Sequence, residues 1–268
     1  MIANARMYAV TPEAELAWQA LIGHVAADAG VSFTYVPYPA PLPLEDLWRR
    51  PDLGCVFMCG YPIALKIADV TPLAAPIPDA PWAAGKAVYR SDLIVREESA
   101  YRNLADTFHG RVGWTVEHSH SGFNALRHHL LQYRKPGRPS VYGSVSGHLV
   151  TARRILDEVL AGGIDVGPLD SYWHSLIARH RPELTQGIRV IESTDVAPMP
   201  SFVTSKDADP VVVDRLREAF ALAHRQEWFP SLAEKLLITG FQPMNHADYA
   251  LTLSWDQDAK ARHYPTVR

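Results

Sequence analysis

Apolar and polar positions follow one another along the chain at two spacings, one typical of strands and one typical of helices. Thr11 and Pro12 mark a helix start, and the apolar residues that follow at helical spacing predict a helix that ends at Gly30. The apolar run LGCVFM predicts a buried strand, and YPIALKIA after it predicts a short helix. Strands that alternate with helices are typical of parallel sheets with helical crossovers. The N-terminal part of the chain is therefore predicted to form an α/β lobe.

The pattern starts again after Gly85 and predicts a second lobe with its own sheet. Strands are predicted at KAVYRSDLIVRE, GRVGWTV, SVYGSV, IDVGPL and RVIES, and helices at FNALRHHLLQY, LVTARRILDEVL and SYWHSLIARH. An extended segment then leads to further helical segments, which are predicted to return to the first lobe. The predicted fold class is α/β with two Rossmann-like lobes, residues 1–86 plus 200–268 as lobe 1 and residues 87–199 as lobe 2. The two chain crossings would form a hinge, with a ligand cleft between the lobes.

Composition narrows the class of protein. The 268 residues are 47% hydrophobic and 21% charged, which supplies a folded core and argues against disorder. Lys and Arg total 26 against 29 Asp and Glu, a net charge of -3, so no basic field favours nucleic acid or an acidic membrane as a partner. No apolar run reaches the ~20 residues that span a bilayer. Cys55 and Cys59, four residues apart on a strand-like run, are predicted to be buried thiols.

Ser119, His120, Ser121 and Gly122 lie between a predicted strand and a predicted helix. The N–H groups of a first helical turn lack helical partners and the helix dipole favours negative charge, so this turn is a candidate anion site. Gly122 lets ligand oxygens approach the backbone, and His120 adds a donor whose imidazolium form a bound anion would stabilise. A phosphonate, with three acceptor oxygens, suits such a turn better than a carboxylate. Two alternatives stay open: Ser121 only caps the helix, and His120 points to solvent.

Three segments resemble the phosphate- and phosphonate-binding branch of the type II periplasmic binding proteins. They are AVYRSDLIVREESAYRNLADTFHGRVGWTVEHSHSGF, SGHLVTARRILDEVLAGGIDVGPLDSYW and APMPSFVTSKD. The resemblance implies that family's two-lobed fold and the function of an ABC transporter's substrate-binding component. The implied ligand is a small phosphonate- or phosphate-like anion, the implied partner is a membrane permease, and the implied location is the periplasm.

The chain departs from the family at two points. The segment MIANARMYAVTPEAELAW lacks the apolar core of a secretory signal, so a cytoplasmic location stays open beside the periplasmic one. His120 stands where the family usually carries a small hydroxyl residue. No cofactor or metal is expected, and the protein is expected to be a monomer that does not span a membrane.

The resemblance implies ligand contacts outside the turn. His148 matches a position that supplies a donor from the second lobe. Asp170 follows a buried-looking strand, where open α/β sheets bind ligands, and would accept from a ligand amine. Tyr61 follows the strand LGCVFM and would present its hydroxyl from the first lobe. The alternatives are a capping or surface role for His148, a helix cap at Asp170 and a core ring at Tyr61.

An enzyme is a competing interpretation. Ser119 or Ser121, His148 and Asp170 are the residue types of a hydrolase triad. A cytoplasmic enzyme on the same fold, acting on a small anionic metabolite, also stays open because an export signal is not seen. Neither serine, however, lies in a G-x-S-x-G elbow. Binding without catalysis is therefore the favoured prediction, with no catalytic residue.

Two further alternatives involve a metal and a signalling partner. Glu117, His118, His120, His128 and His129 cluster in sequence, but the chain contains no H-E-x-x-H or C-x-x-C pattern. A cytoplasmic ligand sensor would use the same binding chemistry and differ only in its partner.

Overall fold

The computed structural model describes residues 1–134 and 140–268, which divide into two compact units. Unit 1 comprises Met1–Tyr89 and Pro198–Ala250, and unit 2 comprises Arg90–Ala197 and Leu251–Arg268. The strands are β1 (Ile2–Asn4), β2 (Thr34–Tyr35), β3 (Leu53–Met58), β4 (Val70–Pro78), β5 (Val88–Tyr89), β6 (Ser91–Arg96), β7 (Arg111–Gly113), β8 (Ser144–Ser146), β9 (Gly167–Asp170), β10 (Ile188–Ser193), β11 (Ala197–Pro198), β12 (Ser201–Ser205) and β13 (Ile238–Pro243). The α-helices are α1 (Pro12–Asp28), α2 (Leu44–Trp48), α3 (Gly60–Ala64), α4 (Ala125–His129), α5 (Ala152–Ala161), α6 (Ser171–His180), α7 (Pro210–Leu222), α8 (Phe229–Leu236) and α9 (Ala250–Ala261).

Unit 1 is built on a mixed sheet with the strand order β13-β4-β12-β3-β1-β2. β1 runs parallel to β2 and β3, whereas β12 is antiparallel to β3 and β4. β3 is buried along its whole length, as its continuous apolar run predicts, and Cys55 and Cys59 are buried and form no disulfide with each other. The short helix α3 begins just after the carboxyl end of β3 and carries Tyr61.

The predicted N-terminal helix is confirmed as α1. The Thr11 side chain accepts from the Ala14 N–H at 3.2 Å, and a proline occupies the first helical position. The buried Trp18 ring meets Phe57 edge-on at a centroid distance of 5.1 Å, and Phe57 stacks on Phe202 at 3.8 Å. These aromatic contacts join α1 to β3 and β12 and form the core of unit 1.

The nine-residue strand β4 is absent from the sequence-based expectations, and its prolines are unusual for a central strand. The pairing shows how they are accommodated. Pro72 lies opposite β12, beyond the stretch of β4 that pairs with β13, whereas Pro76 and Pro78 lie opposite β13, beyond the stretch that pairs with β12. Each proline therefore has a paired strand on one side only. On its unpaired side, a missing N–H costs no ladder hydrogen bond.

Unit 2 is built on short sheets packed around an apolar cluster. β6 lies between β10 and β9 and is antiparallel to both, whereas β7 pairs in parallel with β8. A parallel bridge from Val112 to Val166 links β7 to the segment that leads into β9. The cluster includes Leu93, Val112, Leu126 and Val166. It fixes the ends of β7 and β9 beside the helical segment that follows residue 119.

The C-terminal segment corrects the predicted lobe boundaries. Residues 251–268 were expected in lobe 1, but they belong to unit 2, so the chain passes between the units three times rather than twice. Ala259, Tyr264 and Val267 join the apolar cluster of unit 2, and the Arg127 guanidinium pairs with Asp256. The buried face of α9 thus packs in unit 2. The apolar pattern of a single helix predicts that it has a buried face, but not which unit that face packs against.

Other boundaries also differ from the expectations. The helix predicted from Leu149 begins at Ala152, with Thr151 as its cap. The segment SLAEKLLITG, predicted to be helical, is helical only as far as Leu236, and its last three residues begin strand β13. Among residues 1–134 and 140–268, no helix is long and apolar enough to cross a membrane.

Candidate anion-binding site in unit 2

The carboxyl end of β7 organises the predicted site. The Trp114 N–H donates to the Ser146 carbonyl at 3.1 Å, and the Leu149 N–H donates to the Trp114 carbonyl at 3.2 Å. The Thr115 N–H donates to the Gly122 carbonyl at 3.1 Å. Residues 114–115 therefore hold the 119–122 turn on one side and the loop around His148 on the other.

The turn opens a helical segment through an unusual first turn. The Ser119 hydroxyl accepts from the Gly122 N–H at 3.0 Å, and the Ser119 carbonyl accepts from the Asn124 N–H at 3.0 Å. This five-residue spacing makes residues 120–124 a π-helix, which continues into α4 and a 3₁₀ turn at Leu130–Tyr133. π-Helical turns are rare in proteins, and those that occur are often found at functional sites. The helix cap is thus Ser119, not Ser121.

Ser121 has donors that the protein does not use. Its carbonyl accepts from the Ser91 hydroxyl at 2.8 Å, which ties the turn to β6. The Ser121 side chain is only 7% exposed, yet in the described part of the chain neither its hydroxyl nor its N–H donates to a protein group. Both groups lie at the first helical turn, where an anion would be favoured.

Gly122 is required for packing. A Cβ atom at this position would lie 1.9 Å from the Thr115 hydroxyl oxygen and 2.9 Å from that of Ser119. No side chain fits between these groups. The glycine allows Thr115 to approach the turn, a reason different from the ligand approach that the sequence suggested.

His120 is buried, which contradicts the alternative that its ring points to solvent. Its ring is 1% exposed and stacks on Trp255 at a centroid distance of 5.2 Å. Its Nδ1 lies 3.3 Å from the amide nitrogen of Asn124, which is a donor, so Nδ1 accepts. Burial, reinforced by the charge of His128, lowers the pKa of His120 to about 3. The ring is therefore a neutral, buried group in this structure, and a ligand contact from His120 stays a prediction.

His148 lies in the loop before α5. The residue is exposed, its φ of 57° is left-handed, and Val150 has a φ of 67°. A β-branched residue in this region is strained, and such strain concentrates at functional sites. The His148 ring contacts Trp114 at 4.8 Å, and its imidazole makes no hydrogen bond within the described residues. His148 is thus close to the turn through Trp114, but it does not open a helix as expected.

Asp170 caps α6. One carboxylate oxygen accepts from the Tyr172 N–H at 2.9 Å and from the Trp173 N–H at 3.0 Å. Asp170 ends β9 opposite Ser91, the residue whose hydroxyl binds the Ser121 carbonyl. The structure therefore brings Asp170 to the same end of unit 2 as the turn, while its carboxylate has the capping role that the sequence left open.

Comparison with known families decides the class of protein. The family described as "ABC transporter, phosphonate, periplasmic substrate-binding protein" matches residues 9–249. The chain belongs to this phosphonate-binding family. Its members are periplasmic, non-catalytic solute-binding components of ABC transporters. No functionally curated protein matches the chain in sequence.

Solved structures confirm the fold expected of this phosphonate-binding family. A binding protein component of an ABC phosphonate transporter from Pseudomonas aeruginosa has a TM-score of 0.78 at 14% identity, covering 97% of this chain and 86% of that chain. PhnD1 from Prochlorococcus marinus, in complex with methylphosphonate, has a TM-score of 0.78 at 13% identity, covering 97% and 98%. The aliphatic sulphonate binding protein SsuA from Escherichia coli has a TM-score of 0.63 at 14% identity, covering 98% and 87%. The predicted type II periplasmic-binding-protein fold is therefore confirmed.

Tyr61, the residue that the resemblance assigned from lobe 1, lies in unit 1 at the start of α3 and is 4% exposed. Its ring is packed in unit 1, as the core alternative states. A ligand contact from its hydroxyl stays a prediction.

Neither the catalytic nor the metal alternative gains geometric support. In the described part of the chain the His148 imidazole bonds to no serine or carboxylate, so it does not form the relay of a hydrolase triad. Residues 1–134 and 140–268 contain no group of three or more His, Cys, Asp or Glu side chains arranged to hold a metal ion.

Three residues beside the turn were not predicted from the sequence: Ser91, Trp114 and Thr115. Ser91 is a polar residue that starts an apolar strand, and this is its only signal in the sequence. Trp114 and Thr115 fall within a run assigned to a strand, but β7 ends at Gly113 and both residues lie beside the turn. The early end of β7 depends on contacts with the loops on either side, which are distant in sequence.

Proposed function

We propose that this member of the phosphonate-binding family binds a small phosphonate-type anion at the Ser119–Gly122 turn. The observation that carries the proposal is the pair of unused donors on Ser121, its hydroxyl and its N–H, at the first turn of a helical segment. Within the described residues no protein group accepts from either donor, so a ligand or water supplies the partner. The Ser91 contact holds these donors in a fixed direction.

The chemistry favours a tetrahedral oxyanion. The donors of the turn are neutral, because His120 is an uncharged core group. Hydrogen bonds from hydroxyl and N–H groups to a charged oxygen are strong without a counter-charge, and the helix dipole adds to them. Methylphosphonate is bound by the Prochlorococcus marinus neighbour and an aliphatic sulphonate by the Escherichia coli neighbour, and both ligands end in three oxygens. Family membership favours the phosphonate.

The remaining assignments extend this proposal. His148 and Tyr61 are proposed as further ligand donors, and Asp170 as an acceptor for a ligand amine. The protein would act without catalysis in the periplasm and pass its ligand to a membrane permease. Family membership supports the periplasmic location, the non-catalytic role and the permease partner.

Ser121→Ala tests the turn directly. Because a hydrogen bond to a charged group contributes about 1.5–3 kcal/mol, S121A should weaken methylphosphonate binding by about 10-fold or more. Isothermal titration calorimetry measures the affinity, after a thermal-shift panel of phosphate, phosphonates, sulfonates and amino acids has been run. A ligand at about 100 times its dissociation constant adds about 2.7 kcal/mol of stability.

The matched control is Ser254→Ala, which removes an exposed hydroxyl from α9 whose bond is to the Leu251 carbonyl. S254A should bind methylphosphonate as the wild type does. Equal affinity in S121A would show that the turn is not the site. A wild-type protein that is folded and that no phosphonate, phosphate or sulfonate stabilises would refute the proposed function itself.

A further inference from the structure

Two side chains beside the turn carry donors that the protein leaves unused. Trp114 is 5% exposed and Thr115 is 6% exposed. Within the described residues, neither the Trp114 indole N–H nor the Thr115 hydroxyl has a hydrogen-bond partner. Buried polar side-chain atoms nearly always have a partner, so two orphaned donors on consecutive residues require an explanation. Because the main-chain groups of both residues are paired, the deficit lies in the side chains alone.

The Thr115 hydroxyl faces the turn. Its oxygen is the atom nearest to the position that a Cβ of Gly122 would take, at 1.9 Å, and the Ser119 hydroxyl oxygen is 2.9 Å from the same point. The Ser119 hydroxyl already accepts from the Gly122 N–H. Thr115 therefore lies against the backbone that presents the Ser121 donors, but it does not take part in the helix cap.

The Trp114 indole faces the loop on the other side. Its Cζ2 and Cε2 atoms would lie 2.3 Å and 2.7 Å from a Cβ on Gly147, so the nitrogen bonded to Cε2 is close to this glycine. The ring also contacts Phe123 at 4.9 Å and His148 at 4.8 Å. Gly147 and His148 belong to the loop for which a ligand contact is proposed. The indole ring thus contacts both that loop and Phe123, the residue that follows the turn.

We infer that Trp114 and Thr115 supply two further hydrogen bonds to the anion held by the Ser121 donors. This inference rests on the proposed function and names ligand-binding residues within it. A group with three oxygens has acceptor sites for the indole N–H and the Thr115 hydroxyl in addition to the two Ser121 donors. A carboxylate has two oxygens in one plane, so donors spread around a turn favour a phosphonate or phosphate over a carboxylate.

Thr115→Val and Thr115→Ser form the first test. Valine keeps the shape of threonine and removes the hydroxyl, so T115V should weaken methylphosphonate binding by about 10-fold or more, as expected for a hydrogen bond to a charged group. T115S keeps the hydroxyl and should bind within a few-fold of the wild type. Calorimetry with methylphosphonate and with inorganic phosphate should show the same loss in T115V, because both ligands present phosphorus-bound oxygens.

The melting temperature of the ligand-free protein separates a ligand donor from a structural one. T115V removes an unpaired buried hydroxyl, so its ligand-free melting temperature should equal or exceed that of the wild type. A lower melting temperature would show that the hydroxyl has a structural partner and would overturn the inference. Wild-type affinity in T115V would overturn it as well.

Trp114→Phe tests the indole N–H and keeps an aromatic ring against Phe123 and His148. W114F should weaken methylphosphonate binding by about 10-fold, and wild-type affinity would refute the assignment of this donor. S121A separates failure of this inference from failure of the proposed function. If S121A loses affinity while T115V and W114F do not, this inference fails and the proposed function stands; if the wild type binds none of these anions, the proposed function fails.

Discussion

Asp256→Ala is expected to lower the free energy of unfolding by about 3–5 kcal/mol, because it leaves a buried guanidinium without its counter-charge. Arg127 is 1% exposed and pairs with Asp256, which is 2% exposed. The other groups that accept from Arg127 are neutral: the Asn124 side-chain oxygen at 2.8 Å and the Pro265 carbonyl at 2.7 Å. Lys260, the second partner of Asp256, is exposed and can be solvated by water.

The same helix offers a matched control. Asp258 pairs with Arg262 at 2.9 Å and with His128 at 3.4 Å, but it is partly exposed, so D258A should cost less than about 1 kcal/mol. Urea denaturation followed by circular dichroism compares the two variants. Replacing both partners, as in R127M/D256L, should recover most of the loss, because the desolvation penalty disappears with the charges. If D256A were as stable as D258A, α9 would not be anchored in unit 2 through this pair.

Local signals in the sequence predicted several elements well. α1 is predicted by Thr11 as its cap, by Pro12 and by apolar spacing, and β3 by an unbroken apolar run. The Ser119–Gly122 turn also follows from local pattern, since hydroxyl residues and a glycine precede an amphipathic run. These features depend on residues that are neighbours in the chain. The type II periplasmic-binding-protein fold, by contrast, was predicted from the family resemblance.

Features that depend on distant partners were not predictable. α9 has an apolar face, but the sequence does not say that it packs against Arg127 in unit 2. β4 contains prolines that are tolerated only because its two neighbours overlap different parts of it. His120 lies in a polar run and is nevertheless buried, because α9 supplies Trp255 as a stacking partner. In each case a tertiary contact overrides the local pattern.

His120→Gln is expected to remove about 2–3 kcal/mol of pH-dependent stability between about pH 7.5 and about pH 4.5. In the folded protein, burial and then the charge of His128 lower the pKa of His120 from 6.5 to about 3. In this window the unfolded chain binds a proton at His120 and the folded protein does not. Stability from the neutral ring is therefore fully present above the unfolded pKa and is lost as the pH falls toward the folded pKa.

The comparison is between the pH dependence of two proteins, not between their stabilities at one pH. Glutamine does not titrate, and its side-chain oxygen can replace the imidazole nitrogen as the acceptor for Asn124. The unfolding free energy of the wild type should fall more steeply than that of H120Q as the pH is lowered, measured by urea denaturation at each pH. H148Q is the control, because it changes an exposed histidine and leaves His120 in place. Parallel curves for the wild type and H120Q would mean that the ring is solvated and that its pKa is not lowered by burial.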